Sequence, residues 1–128
     1  MAAATVAGMQ RLHLVPARRW RHYATPGGRR PTFDYLTSLP TGERHLVAAE
    51  MRRVAVVGLT EARHLRGEIY EVRARGALEH RILFAREGQH RQILLALCAF
   101  TKKTQRTPLR ELDLAERRLH DWRGRAPL

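Results

Sequence analysis

The sequence predicts an α+β fold, an antiparallel sheet with an N-terminal helix pair packed on one face and a C-terminal helix. Apolar residues recur at helical spacing within residues 31–57, switch to a period of two over 68–100, and return to helical spacing after Pro108. The turns inside the period-two region are short and contain Gly76 and Gly88, so its strands join as hairpins rather than through crossovers. Strands and helices are grouped rather than alternating, which distinguishes α+β from α/β.

The first element is a short strand at Trp20–Tyr23, closed by the loop TPGGRRP. Gly27-Gly28 does not cradle phosphate, because no GK[ST] follows it. Pro31 opens a helix, PTFDYLTSL, with Phe33, Tyr35 and Leu36 on its apolar face. Pro40 ends that helix, and Thr41 is placed to cap the next, GERHLVAAEMRRVAVV, which Gly58 stops. Val47, Met51 and Val54 form its buried stripe, while Arg44, Arg52 and Arg53 face elsewhere.

The stretch TEARHLRG reads as a connection. Three strands follow, EIYEVRA (68–74), HRILFAR (80–86) and QILLALCAF (92–100), and the third is apolar enough to belong in the middle of the sheet. Thr107 suits an N-cap and Pro108 a first helical position. Leu109, Leu112, Ala115, Leu119 and Trp122 then make the stripe of a last helix whose final turns carry Arg117, Arg118 and Arg123, as its dipole favours. With the helices on one face of the sheet, the other face is left for function.

At 128 residues the chain is expected to be one domain with a core that needs neither disulfide nor metal. A single cysteine, Cys98, fits a reducing, cytoplasmic setting, and no apolar run reaches the roughly 20 residues needed to span a bilayer. The 24 Lys+Arg against 12 Asp+Glu leave +12, an excess that attracts polyanions and above all nucleic acid. Residues 1–18 precede the first acid, Asp34, and read as a basic, disordered extension or as an artefact of start-site choice with Met9 as the true start. The folded domain is expected over 19–124, with 125–128 as a tail.

Strand alternation brings Arg73 and Arg81 together across the first hairpin, where two like charges repel unless something negative lies between them. A phosphate would serve, although arginines also suit a solvated sheet edge. Lys102 and Lys103 are the only lysines in a chain that otherwise writes its strong positive charge as arginine. Unlike arginine, lysine can give up a proton when crowded by other cations, so the pair suits proton transfer as well as phosphate binding. The seven histidines (His13, His22, His45, His64, His80, His90 and His120) show no HxxxH or HExxH spacing, so no metal site and no cofactor is expected. His80, beside Arg81, suits either acid–base work or ordinary polar surface.

The runs YEVRARGALEHRILFA and ILLALCAFTKKTQRTPLRELDLAERRLHDW resemble the RelE/HigB superfamily of type II toxins, in its phage-derived HigB-like branch. Glu71-Val72-Arg73 stands in the place of its E-L-R triplet, Arg81 in that of an arginine opening the next strand, and Phe100 to Pro108 in that of its F-x-K-K-T-Q-K-T-P segment. WRHYATPGGRRPTFDYLTSLP and ARHLRGEIYEVR match more loosely, so the resemblance covers 20 to about 123.

It implies a RelE/ParE-like fold and a metal-independent endoribonuclease that cuts mRNA on translating ribosomes. It also implies a cognate antitoxin, often a helix-turn-helix, HigA-like protein, held in a toxin–antitoxin hetero-oligomer. Carried over, Arg73 and Arg81 stabilise the phosphate, and Lys102 or Lys103 binds RNA or assists proton transfer. Arg63, Arg66, Thr104, Gln105 and Arg106 are the expected RNA-binding residues. One departure stands out: Cys98-Ala99 occupies the place of a His-Gly pair common in the family. The alternatives are a ParE-like toxin acting on DNA gyrase and a non-catalytic basic RNA- or ribosome-binding module, which would bind with steep salt dependence and leave RNA intact.

Overall fold

A computed structural model describes residues 17–103 and 105–125. Most of the expected extension, Thr104 and residues 126–128 of the expected tail lie outside them. The elements run β1 (Arg19–His22), α1 (Pro31–Ser38), α2 (Thr41–Val57), β2 (Arg63–Arg66), β3 (Ile69–Arg75), β4 (Glu79–Glu87), β5 (Ile93–Thr101) and α3 (Leu109–Arg125). They build one five-stranded sheet in the order β1-β5-β4-β3-β2. All pairings are antiparallel except β1 with β5.

The α+β architecture is the one the sequence predicts, with two refinements at the sheet's edges. TEARHLRG is not merely a connection: after a 3₁₀ turn at Leu59–Glu61 it forms the edge strand β2. That strand is four residues long and largely exposed, so it carries no apolar alternation by which to recognise it. β1 lies parallel on the far side of β5, which leaves β4 in the centre of the sheet.

The helices do not all share a face. α1 and α2 cover one side, where Val47, Met51 and Val54 meet Val72, Ile82, Phe84 and Leu94. α3 covers the other, where Leu112, Ala115 and Leu119 meet Ile69, Leu83, Leu95 and Leu97. The face expected to be left for function is thus occupied by the C-terminal helix, because the central strands carry large apolar side chains on both sides and each side needs a cover. α3 covers this face only partly. Beyond its N-terminus the β2–β3–β4 end of the sheet carries polar residues under the segment that links β5 to α3.

Thr107 does not turn to the helix as a cap. Its hydroxyl donates to the Glu71 carboxylate at 2.6 Å, while Pro108 supplies the carbonyl that accepts from the Glu111 and Leu112 amides. The N-terminus of α2 likewise starts at Thr41, after Pro40 and without a side-chain cap.

Candidate functional site

Arg73 and Arg81 are register partners on neighbouring strands, so their side chains rise from the same face, the one under α3. What lies between them is a carboxylate of the protein itself. Glu71 sits two residues before Arg73 and therefore on the same face; its Oε1 accepts from Arg73 Nε at 2.8 Å and its Oε2 from Arg81 Nη1 at 3.2 Å.

The other Arg81 donors are also spent internally. Nε donates to Glu79 at 3.1 Å, Nη1 to the Thr107 hydroxyl at 2.9 Å and Nη2 to the Gln105 carbonyl at 3.1 Å. Arg81 is 0% exposed. Its guanidinium is walled in by these acceptors and does not reach a surface where a phosphate would bind. It fastens the Gln105–Thr107 segment to the sheet. The sequence leads one to expect direct phosphate contact from Arg81, whereas in this structure its side chain is buried and bonded within the protein. The reason is that a buried guanidinium needs acceptors for its several donors, and these surround it.

Arg73 differs. It gives only its Nε–H to Glu71, is 27% exposed, and forms part of a cleft of about 400 Å³ with Arg63, Gln105 and Arg106, over Leu65 and Leu112. A second cleft of about 490 Å³ shares Arg106 and Thr107 and adds Lys103, Arg110 and Phe100. The segment from Gln105 to Thr107 is therefore a ridge between two basic clefts, pinned from below by Arg81. A helix N-terminus, that of α3, opens beside it.

The two lysines part company. Lys102 Nζ lies 3.1 Å from Glu79 and 3.3 Å from Gln105 Oε1, and its backbone amide donates to the Glu79 carbonyl. Burial opposes ionisation of Glu79, but hydrogen bonds from Lys102 and Arg81 outweigh it and hold the carboxyl below its ordinary range. Lys103 is exposed on the second cleft.

Of the other expected RNA-binding residues, Arg63, Gln105 and Arg106 line the first cleft, whereas Arg66 pairs with Asp113 and Glu116 on α3. Alternation places Glu71 on the face of Arg73 but does not show that it bridges Arg73 and Arg81; that Glu79 and Thr107 complete this network is visible only in the structure.

Cys98 is buried and donates its thiol to Glu111 at 2.8 Å. Burial, then the Glu111 carboxylate, push the thiol well above its ordinary pKa, so it is neither a nucleophile nor a proton carrier.

His80 lies on the opposite side of the sheet, as strand alternation beside Arg81 requires. It is buried in a chain running from Glu43 (2.9 Å to Nε2) through Tyr35 (2.7 Å to Nδ1) to the Thr101 hydroxyl (2.8 Å from Tyr35). The His80 hydrogen bond, followed by that from the Leu78 amide, lowers the Glu43 pKa against the opposing effect of burial. Burial raises that of Tyr35. This chain ties both N-terminal helices to the end of β5, from which Lys102 and Lys103 emerge. Among the described residues no group of three or more His, Cys, Asp or Glu side chains is placed to hold a metal ion. No helix among them is long and apolar enough to cross a membrane.

The profile of the family described as "Phage derived protein Gp49-like (DUF891)" matches residues 34–120. Two relatives, both named "Probable endoribonuclease HigB1", come from Mycobacterium tuberculosis strains CDC 1551 / Oshkosh and ATCC 25618 / H37Rv. Each is 33% identical over 108 residues, which is 81% of this chain and 84% of the relative. The match takes in the second part of α1, all of α2, strands β2 to β5 and most of α3. Such toxins work opposite a cognate antitoxin, so the family implies that partner for this chain. The chain belongs to the phage-derived Gp49-like family of HigB-type toxins.

Proposed function

We propose that this toxin is a metal-independent endoribonuclease that cuts mRNA on translating ribosomes. The observation that carries the proposal is the ridge between two basic clefts, with Arg63, Arg73 and Arg106 on one side and Lys103, Arg106 and Arg110 on the other. A single strand crossing the ridge would lay one phosphodiester beside Arg73, Arg106 and Lys103, with its neighbours in the flanking clefts. In the reaction the 2′-hydroxyl oxygen attacks the adjacent phosphorus and loses its proton to water. The bond to the 5′-oxygen breaks, leaving a 2′,3′-cyclic phosphate, and that oxygen takes up a proton.

Arg73 and Arg106 carry the charge that gathers on the non-bridging oxygens, where fixed cations are most effective. Lys103, the exposed member of the lysine pair, donates to the leaving oxygen, which arginine would do poorly. Lys102 is held by Glu79 and orients Gln105. Thr104 belongs to the same segment and is proposed to contact RNA with Gln105. The named activity of the relatives supports this reading, as does the excess of positive charge.

The test is induced expression in a bacterium lacking the antitoxin, with protein synthesis followed and mRNA 5′ ends mapped, beside Arg73→Ala and Lys102→Ala/Lys103→Ala variants. Rapid arrest with new in-frame mRNA ends, lost in both variants, is expected. Intact mRNA with a DNA-damage response would point instead to gyrase. Intact mRNA bound in a salt-dependent way would point to a binding module.

A further inference from the structure

On the face opposite the clefts, β1, α1 and α2 enclose an apolar groove of about 510 Å³. Its apolar lining comes from Trp20, Leu36, Ala48, Met51 and Ala55, and its rim from Arg18, Arg19, Arg44 and Arg52. No acid lines it, and among the described residues none of the four arginines is paired with a carboxylate.

This contrasts with the α3 side, where Arg66, Arg123 and Arg125 each meet acids of the chain. Residues 44, 48 and 52 form one exposed stripe of α2, in which a foreign side chain has room to pack over Ala48 between the two arginines, while Ala55 lies buried at the groove's end with its carbonyl accepting from Arg18 at 3.4 Å. Trp20 is fixed as one wall, its indole N–H donating to the Met51 carbonyl at 2.6 Å and its ring set edge-on to Phe84. His22 closes one end, with a buried Nδ1 that has no hydrogen-bond partner in the structure.

We propose that this groove is a docking site for an acidic, amphipathic segment of a partner protein, and in this family the cognate antitoxin is the partner to supply it. Charge selects the occupant. A second copy of the chain would set arginines against arginines, and residues 1–16, which hold no acid, would leave the rim uncompensated. An RNA strand would answer the charge but not the apolar walls between the arginines, whereas leucine-like side chains over Ala48 and against Trp20 and Leu36, with carboxylates reaching the rim, answer both. The span from Arg44 to Ala55 is roughly 16 Å along the helix, enough for about three turns of a bound helix. Docking here leaves both basic clefts uncovered, so the partner would hold the toxin by a surface separate from the one proposed to cut.

The test uses the full chain with Trp122→Phe, so that Trp20 is the only indole, and follows its fluorescence. The probe is a synthetic peptide of about 18 residues with leucine along one helical face and glutamate along the other. A saturable shift in Trp20 emission is expected, weakened by at least about tenfold in Arg44→Glu/Arg52→Glu. A scrambled peptide of the same composition should give none. An equal response to the scrambled peptide, no response to either, or a larger shift with a single-stranded RNA oligonucleotide would overturn the proposal. Because Arg44 and Arg52 lie outside the clefts, the same double variant should still arrest translation if the proposed nuclease activity holds, and that readout is independent of docking.

Discussion

Replacing Arg81 by methionine removes a guanidinium that is 0% exposed while roughly keeping the length of the side chain. It strands Glu71, itself 1% exposed, with only Arg73 and the Thr107 hydroxyl for company, and it releases the Gln105 carbonyl and one contact to Glu79. Breaking one side of a buried ion pair typically destabilises by about 3–5 kcal/mol. At roughly 4 °C per kcal/mol for a domain of this size, the melting midpoint should fall by about 12–20 °C.

The assay is thermal unfolding followed by circular dichroism, with urea titration for the free energy. The companion variant Glu71→Leu/Arg81→Met removes both charges. Because the pair is one unit, the double variant should be distinctly more stable than the summed single effects of Glu71→Leu and Arg81→Met. A midpoint drop of less than about 4 °C for Arg81→Met, or single effects additive to within about 0.5 kcal/mol, would falsify the view of Arg81 as a buried pin.

Other outcomes follow from the same geometry. Arg73→Ala, at a partly exposed position that leaves Glu71 paired to Arg81, should change stability by no more than about 1 kcal/mol while abolishing the new mRNA ends; urea titration beside 5′-end mapping separates the two. Since the Glu79 carboxyl is held below its ordinary value of 4.5, its contribution is present above that pH and lost as pH falls through the folded value. Glu79→Gln should therefore flatten the loss of stability on acidification below about pH 4.5, and parallel wild-type and variant curves there would rule this out. Cys98 should resist a thiol reagent at mild alkaline pH until the chain is unfolded, whereas stoichiometric labelling of the native protein would contradict its burial. Gly76→Ala would drive a Cβ into Glu43 and Leu46 and should lower the melting midpoint by several degrees, while Gly124→Ala, with nothing nearby to meet, should not.

The sequence alone determined most of the framework, because its elements are written in local periodicities. The stripe Val47, Met51 and Val54 fixes which face α2 buries, and the alternation around Ile82 and Phe84 fixes which face of β4 meets it. Register across a short hairpin also follows from its turn, and it brings Arg73 opposite Arg81 as strand alternation predicts.

What only the tertiary structure decided is how charges from distant parts of the chain meet. Periodicity says which way a side chain points, but not what stands over it. Arg81 shares the face of Arg73 as alternation predicts, yet Thr107 and the Gln105 carbonyl, more than twenty residues away in sequence, close over it and bury its guanidinium. The placement of α3 on the second face, the edge strand at Arg63–Arg66 and the arginine-rimmed groove are decisions of the same kind. Each depends on contacts between segments remote in sequence, whose pairing no local pattern encodes.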